Sequence, residues 1–152
     1  MSSFFNNYFF IVLAIIAGMM MPTQGAINTK LTRYVESPVT AAFISFFVGT
    51  IALFVYMLAA GTPLSNLTNS KNAPVIALTG GLLGAFFVSA IAASVPRLGV
   101  ALTFSLAIAG QMLITLVIDH FGFLDVPVKE ISVPRVLGVV LIVVGVIVIR
   151  RF

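Results

Sequence analysis

Five long runs of apolar residues alternate with short polar breaks along the chain, over residues 8–34, 38–60, 74–94, 99–121 and 133–149. A helix needs about 20 apolar residues to cross the hydrocarbon core of a bilayer, and each run approaches or exceeds that length. The breaks carry turn chemistry and charge. "GTPLSNLTNSKN" reads as a polar loop, "VPRLG" as a tight turn, and "GFLDVPVKEISVP" as a second loop. The last run is short, and Arg150 and Arg151 can snorkel at its end. The pattern predicts an all-α integral membrane protein with five transmembrane helices in a single transmembrane domain.

The first run breaks its own rule. Inside "MMMPTQGAINTKLTRY", Pro22, Gln24 and Asn28 stand where lipid-facing carbon is expected. Proline removes a backbone hydrogen bond and is expected to kink the helix. Gln24 and Asn28 are four residues apart and share a face, with Met20 one turn earlier. Amide side chains are costly in lipid unless they find partners. That face therefore points into the protein or a cavity, as an interhelical amide clamp or as the wall of a substrate site.

A second polar trace follows the fourth run, through Thr103, Ala107, Gln111, Thr115 and Asp119. Steps of four drift about 40° on a helix, so the stripe is slanted. The threonines can bond their own backbone. Gln111 has no such recourse and reads as cavity-facing or interhelical. Asp119 and His120 close the run, either as an interfacial, wet pair or as a proton relay. No carboxylate falls at an expected bilayer centre, where a proton-driven exporter would often hold one.

Small residues supply the remaining pattern. Gly80 and Gly84 form a G-x-x-x-G pair beside a row of Gly81, Ala85, Ser89 and Ala93. Ala41, Ser45 and Gly49 form a similar row on the second run, and Gly138 and Gly145 give the fifth a smooth face. Such residues let helix backbones approach closely, within a bundle or between copies.

Composition supports the membrane class. Of 152 residues, 61% are hydrophobic and 8% charged, against about 25% charged in a typical soluble domain. A soluble core of this size could not hide so much apolar surface. The net charge of +4 is scattered among apolar segments, which reads as membrane-flanking charge and excludes a nucleic-acid patch. The start, "MSSFFNNYFF", has no Lys or Arg, so the first run is expected to be a retained helix rather than a signal peptide. With no cysteine and a lone His120, neither a disulfide framework nor a zinc site is expected. No hydrolase elbow, phosphate loop or metal motif is present, so neither enzyme chemistry nor a cofactor is expected.

Five spans would put the termini on opposite sides. Lys71, Lys129 and Arg135 then fall on the N-terminal side, and Lys30, Arg33, Arg97, Arg150 and Arg151 on the other, 3 against 5 of the 8 basic residues. Positive charge sets orientation through such a bias. This one is weak, leans toward a cytoplasmic C-terminus, and permits insertion both ways.

Four stretches, "PTQGAINTKL", "SPVTAAFISFFVGTIAL", "PRLGVALTFSLAIAGQMLITLVIDHFG" and "GVVLIVVGVIVI", carry a resemblance in order and spacing over most of the chain. The chain resembles the YdcZ (DUF606) family of the drug/metabolite transporter superfamily. The resemblance implies five transmembrane helices, half of a ten-helix inverted-repeat transporter, in the bacterial cytoplasmic (inner) membrane. It implies pairing with a second copy or an oppositely oriented paralogue, the first four helices forming the transport core and the fifth supporting dimerisation. By similarity to the small multidrug resistance relatives, the first helix lines the substrate cavity, which places Gln24 and Asn28 there, with Gln111 as a further polar wall. Those relatives use a first-helix glutamate. This chain has none, so neither proton antiport nor cationic drug substrates carry over. A transporter of a small, unidentified solute is the leading reading. A small antiparallel ion channel and a non-transporting helix-bundle subunit are the alternatives.

Overall fold

The computed structural model describes residues 2–151, with side chains from Asn7 onward. The described residues are helical apart from short connections and contain no strand. Helices α1 (Ser2–Val35) and α2 (Pro38–Ala59) come first. Two short helices follow, α3 (Ser65–Thr68) and α4 (Val75–Leu78), then α5 (Gly80–Leu98), α6 (Val100–Phe121) and α7 (Val133–Arg151). Five spans among the described residues are long and apolar enough to cross a membrane: Asn7–Val35, Pro38–Ala59, Val75–Leu98, Val100–Phe121 and Val133–Arg151. In each, only 6–11% of the apolar window is buried within the chain. Lipid or other protein must cover the rest, and a bilayer does so without a hydrophobic penalty.

Local chemistry explains most helix ends. Ser37 caps α2, its hydroxyl accepting from the Thr40 amide at 3.2 Å, and Pro38 occupies the first helical position, where no amide hydrogen is needed. α6 ends at Gly122, which takes a left-handed φ of 64° and donates back to the Ile118 carbonyl. A Cβ there would stand 2.7 Å from a Val128 methyl, so packing as well as conformation asks for glycine.

The third span departs from expectation. The turn predicted over "VPRLG" shrinks to Gly99, and the helix runs through Pro96 to Leu98. Proline near a helix end costs one hydrogen bond and does not by itself stop the chain, whereas the φ of 80° at Gly99 does. The loop after α2 is also more ordered than its polar composition suggested. α3 and a 3₁₀ turn over Asn69–Asn72 fill much of it, with Thr68 and Ser70 hydroxyls bonding the Ser65 and Leu67 carbonyls.

Residues 1–96 and 97–152 form two compact units. In the first, α1 and α2 make an antiparallel hairpin across a short connection in which Glu36 adopts a φ of 56°. Gly25, Asn28 and Thr29 of α1 and Ala41 and Ala42 of α2 are buried. Within the same unit, a Cβ at Gly84 would lie 3.1 Å from the Phe46 ring of α2, so this glycine admits an aromatic edge. A Cβ at Gly80 would meet nothing within 4 Å.

In the second unit α6 packs on α7, with Phe104, Ala109, Val139 and Val146 buried. Polar bonds at one end fasten this hairpin. Arg135 pairs with Asp119, and its guanidinium also donates to the Lys129 carbonyl (2.7 Å) and the Glu130 carbonyl (3.3 Å). The Lys129 amide donates to the Asp119 carbonyl at 2.8 Å, and the Ile131 amide to His120 Nδ1 at 3.3 Å. Asp119 is thus partly exposed at the end of α6, with an ion-pair partner that the sequence did not indicate. Its side chain is 23% exposed and engaged by Arg135, because the loop brings residue 135 back over the end of α6.

Candidate functional site

α1 runs unbroken through Pro22. Because Pro22 has no amide hydrogen, the Gly18 carbonyl loses its usual partner one turn earlier. Just beyond, the Thr23 hydroxyl donates to the Met19 carbonyl at 3.0 Å. Such back-bonding bends helices slightly and satisfies the hydroxyl locally.

Beside this turn lies a groove of about 500 Å³, lined by Met20, Met21, Thr23, Gln24, Ile27 and Asn28 of α1 and Ser45 of α2. Its size is within the range of small-molecule sites. The structure therefore brings Gln24 and Asn28 to one groove, with Met20 beside them. Their environments differ: Gln24 is exposed, whereas Asn28 is 2% exposed.

Asn28 also differs from every other buried polar residue described. Thr29 bonds the Gly25 carbonyl at 2.8 Å, and Thr103 bonds the Gly99 carbonyl at 2.7 Å. Each hydroxyl reaches back four residues along its own helix. The Asn28 amide makes no such bond, and its Nδ2 is the one buried side-chain nitrogen or oxygen without a partner among the described residues. Leaving a donor unmade in a buried site costs about 1–3 kcal/mol. A group carrying that cost at the edge of a groove is poised for an acceptor from elsewhere.

Gln111 lies half-buried on α6 in the second unit and is not among the residues lining this groove. A smaller groove, about 240 Å³, runs between α6 and α7 and is lined by Met112, Thr115, Leu116, Arg135, Gly138, Val139 and Ile142. Its one charged residue is Arg135, already committed to Asp119. A Cβ at either Gly138 or Gly145 would meet nothing within 4 Å.

Thr23 and Ser45 are the polar groove residues that the sequence did not mark as site residues. Ser45 reads as one member of a small-residue row, and only the α1–α2 hairpin places its hydroxyl across from Asn28's helix. The available signal was a serine near the middle of an otherwise apolar span. Among the described residues, no cluster of three or more His, Asp or Glu side chains could hold a metal ion.

The family described as "Putative inner membrane exporter, YdcZ" matches residues 9–148. The chain is 28% identical over 141 residues to the inner membrane protein YdcZ of Escherichia coli (strain K12), covering 92% of this chain and 93% of that one. No solved structure matches it.

Proposed function

Because the chain belongs to the YdcZ family, we propose that it carries a small solute across the bacterial inner membrane by alternating access, using the α1 groove as its substrate site in an antiparallel pair. The observation that carries this reading is the unpartnered Nδ2 of Asn28, nearly buried at the groove wall. A donor held ready in a partly apolar cleft is what a binding site needs and what simple packing avoids. Pro22 bears on the same reading: it removes one hydrogen bond from the continuous α1 ladder beside the groove and gives the helix a place to bend during alternating access. Residue 22 is close to the middle of the Asn7–Val35 span. Gln111, half-buried on α6, is a separate candidate polar contact for the solute within the second unit.

The paired arrangement rests on the weak charge bias. Chains inserted both ways can meet about a twofold axis in the membrane plane. The open faces at Gly138 and Gly145 suit α7 to contact a second copy or a paralogue.

Two labelling experiments test the proposal, and the absence of native cysteine makes both clean. First, Ser45→Cys reacts with a membrane-impermeant maleimide at least about tenfold faster than Phe47→Cys, because a thiol ionises in a wet groove and not in lipid. Phe47 is 59% exposed on the far side of the same helix. Equal, slow labelling of both would mean a dry groove and no substrate path. Second, a cysteine near Ser3 and, separately, one after Phe152 are each labelled from outside intact cells in about half the molecules, as dual insertion requires. Complete one-sided labelling of each terminus would rule out an antiparallel homodimer.

A further inference from the structure

The groove's lining also constrains what enters it. Of its seven lining residues none is ionisable. The nearest cations along α1 are Lys30 and Arg33, both exposed. Lys30 does not line the groove; it lies about 200° around the helix from Asn28 and one turn beyond Ile27, so the cation nearest the groove stands at its Ile27 edge. A charged solute held against this lining would exchange part of its hydration for amide and apolar groups with no opposite charge among them, and a cation would also meet the repulsion of Lys30 at the groove's edge. An uncharged solute avoids that penalty.

The polar groups then specify polarity within the neutral class. Asn28 Nδ2 can only donate, so its partner must be an acceptor: a carbonyl, ether or hydroxyl oxygen. Gln24, exposed on the same wall, offers an amide able to donate and accept. The Thr23 hydroxyl has spent its hydrogen on the Met19 carbonyl and retains only acceptor capacity. Met20, Met21 and Ile27 form the remaining α1 wall. Methionine side chains are flexible and polarisable and adapt to planar or irregular apolar groups.

We infer that the α1 groove takes an uncharged amphipathic solute, with an oxygen acceptor bound by Asn28 Nδ2 and an apolar body against Met20, Met21 and Ile27, and that it rejects organic cations. This rests on the groove being the substrate site, as proposed above.

Three molecules of nearly equal shape test it: benzamide (neutral, one carbonyl acceptor), benzamidinium (cationic, donors only) and benzoate (anionic). Binding to the purified full chain in lipid nanodiscs is followed by ligand-detected saturation-transfer NMR, in the natural protein and in the Asn28→Leu and Gln24→Leu variants. Empty nanodiscs correct for partition into lipid. Benzamide is expected to bind saturably, at least tenfold tighter than benzamidinium or benzoate. Asn28→Leu should weaken it at least tenfold, and Gln24→Leu, at an exposed position that does not endanger folding, two- to fivefold.

Failure of the class and failure of the site look different. If benzamidinium or benzoate binds as well as benzamide and Asn28→Leu weakens it, the site stands and the uncharged class is wrong. If benzamide binding is unmoved by both substitutions, or is absent at millimolar concentration, both the class and the site are overturned.

Discussion

Asn28→Leu unfolds at a higher temperature than the natural chain, while its affinity for a neutral acceptor ligand falls at least tenfold. The two effects have one origin. Leucine keeps the branched shape of asparagine and removes its polar atoms. At most buried positions that exchange breaks hydrogen bonds and destabilises. Here the amide nitrogen has no partner to lose, and the site is 2% exposed. The exchange therefore removes an uncompensated desolvation cost, and stability should rise by about 1 kcal/mol. Thermal unfolding of the detergent-solubilised protein, followed by circular dichroism, checks the first half. A loss of about 2 kcal/mol or more would mean that the amide supports packing, and its role as a ligand donor would fail with that result. A group that destabilises the folded chain while serving binding is a familiar trade between stability and activity.

Arg135→Met acts in the opposite direction, on the other hairpin. Arg135 satisfies three acceptors at once, the Asp119 carboxylate and the carbonyls of Lys129 and Glu130. The pair is neither surface nor core: the two side chains are 29% and 23% exposed. An exposed ion pair contributes about 0–1 kcal/mol, but the two carbonyls that also lose a charged donor raise the total to about 2 kcal/mol. Asp119→Asn should cost only about 1 kcal/mol, since it leaves Arg135 its carbonyls and leaves the Lys129 amide bonded to the backbone carbonyl of residue 119. Hydrogen exchange gives the local readout. The Lys129 and Ile131 amides, both bonded to the end of α6, should exchange at least about tenfold faster in Arg135→Met. If their exchange is unchanged, the loop is held by something other than this arginine. Arg135→Lys should restore the pairing with Asp119 only in part, because an ammonium lacks the planar fork that reaches carboxylate and carbonyls together.

Much of the architecture was legible from hydropathy because a membrane enforces it. Each span must satisfy its own backbone hydrogen bonds, so an apolar run of sufficient length has few alternatives to a helix. The runs at 38–60 and 99–121 match α2 and α6 within a residue or so for that reason. The end of the third run was misplaced because Pro96 is a weaker stop than a glycine with positive φ, and the sequence shows the residue but not its dihedral. The groove was half legible. Gln24 and Asn28 stood out because amides in an apolar run need a reason. Their unequal burial was not readable, since it depends on how α2 crosses α1. The partnership of Asp119 with Arg135 was hidden by distance along the chain, with a loop of unpredictable path between them.

The hydroxyls of the first hairpin have a mechanical consequence. Thr23, Thr29 and Thr32 on α1 and Thr50 on α2 all donate to carbonyls of their own helix. None of these bonds crosses from one helix to the other, so none must break when α1 moves along α2. The buried residues of this hairpin are Gly25, Asn28, Thr29, Ala41 and Ala42, small apart from the asparagine, which is the kind of contact over which shear is possible. The α6–α7 hairpin is riveted at one end by Arg135. The two hairpins are thus held differently, the first without side-chain bonds from these threonines across it and the second by charge-assisted bonds at one end.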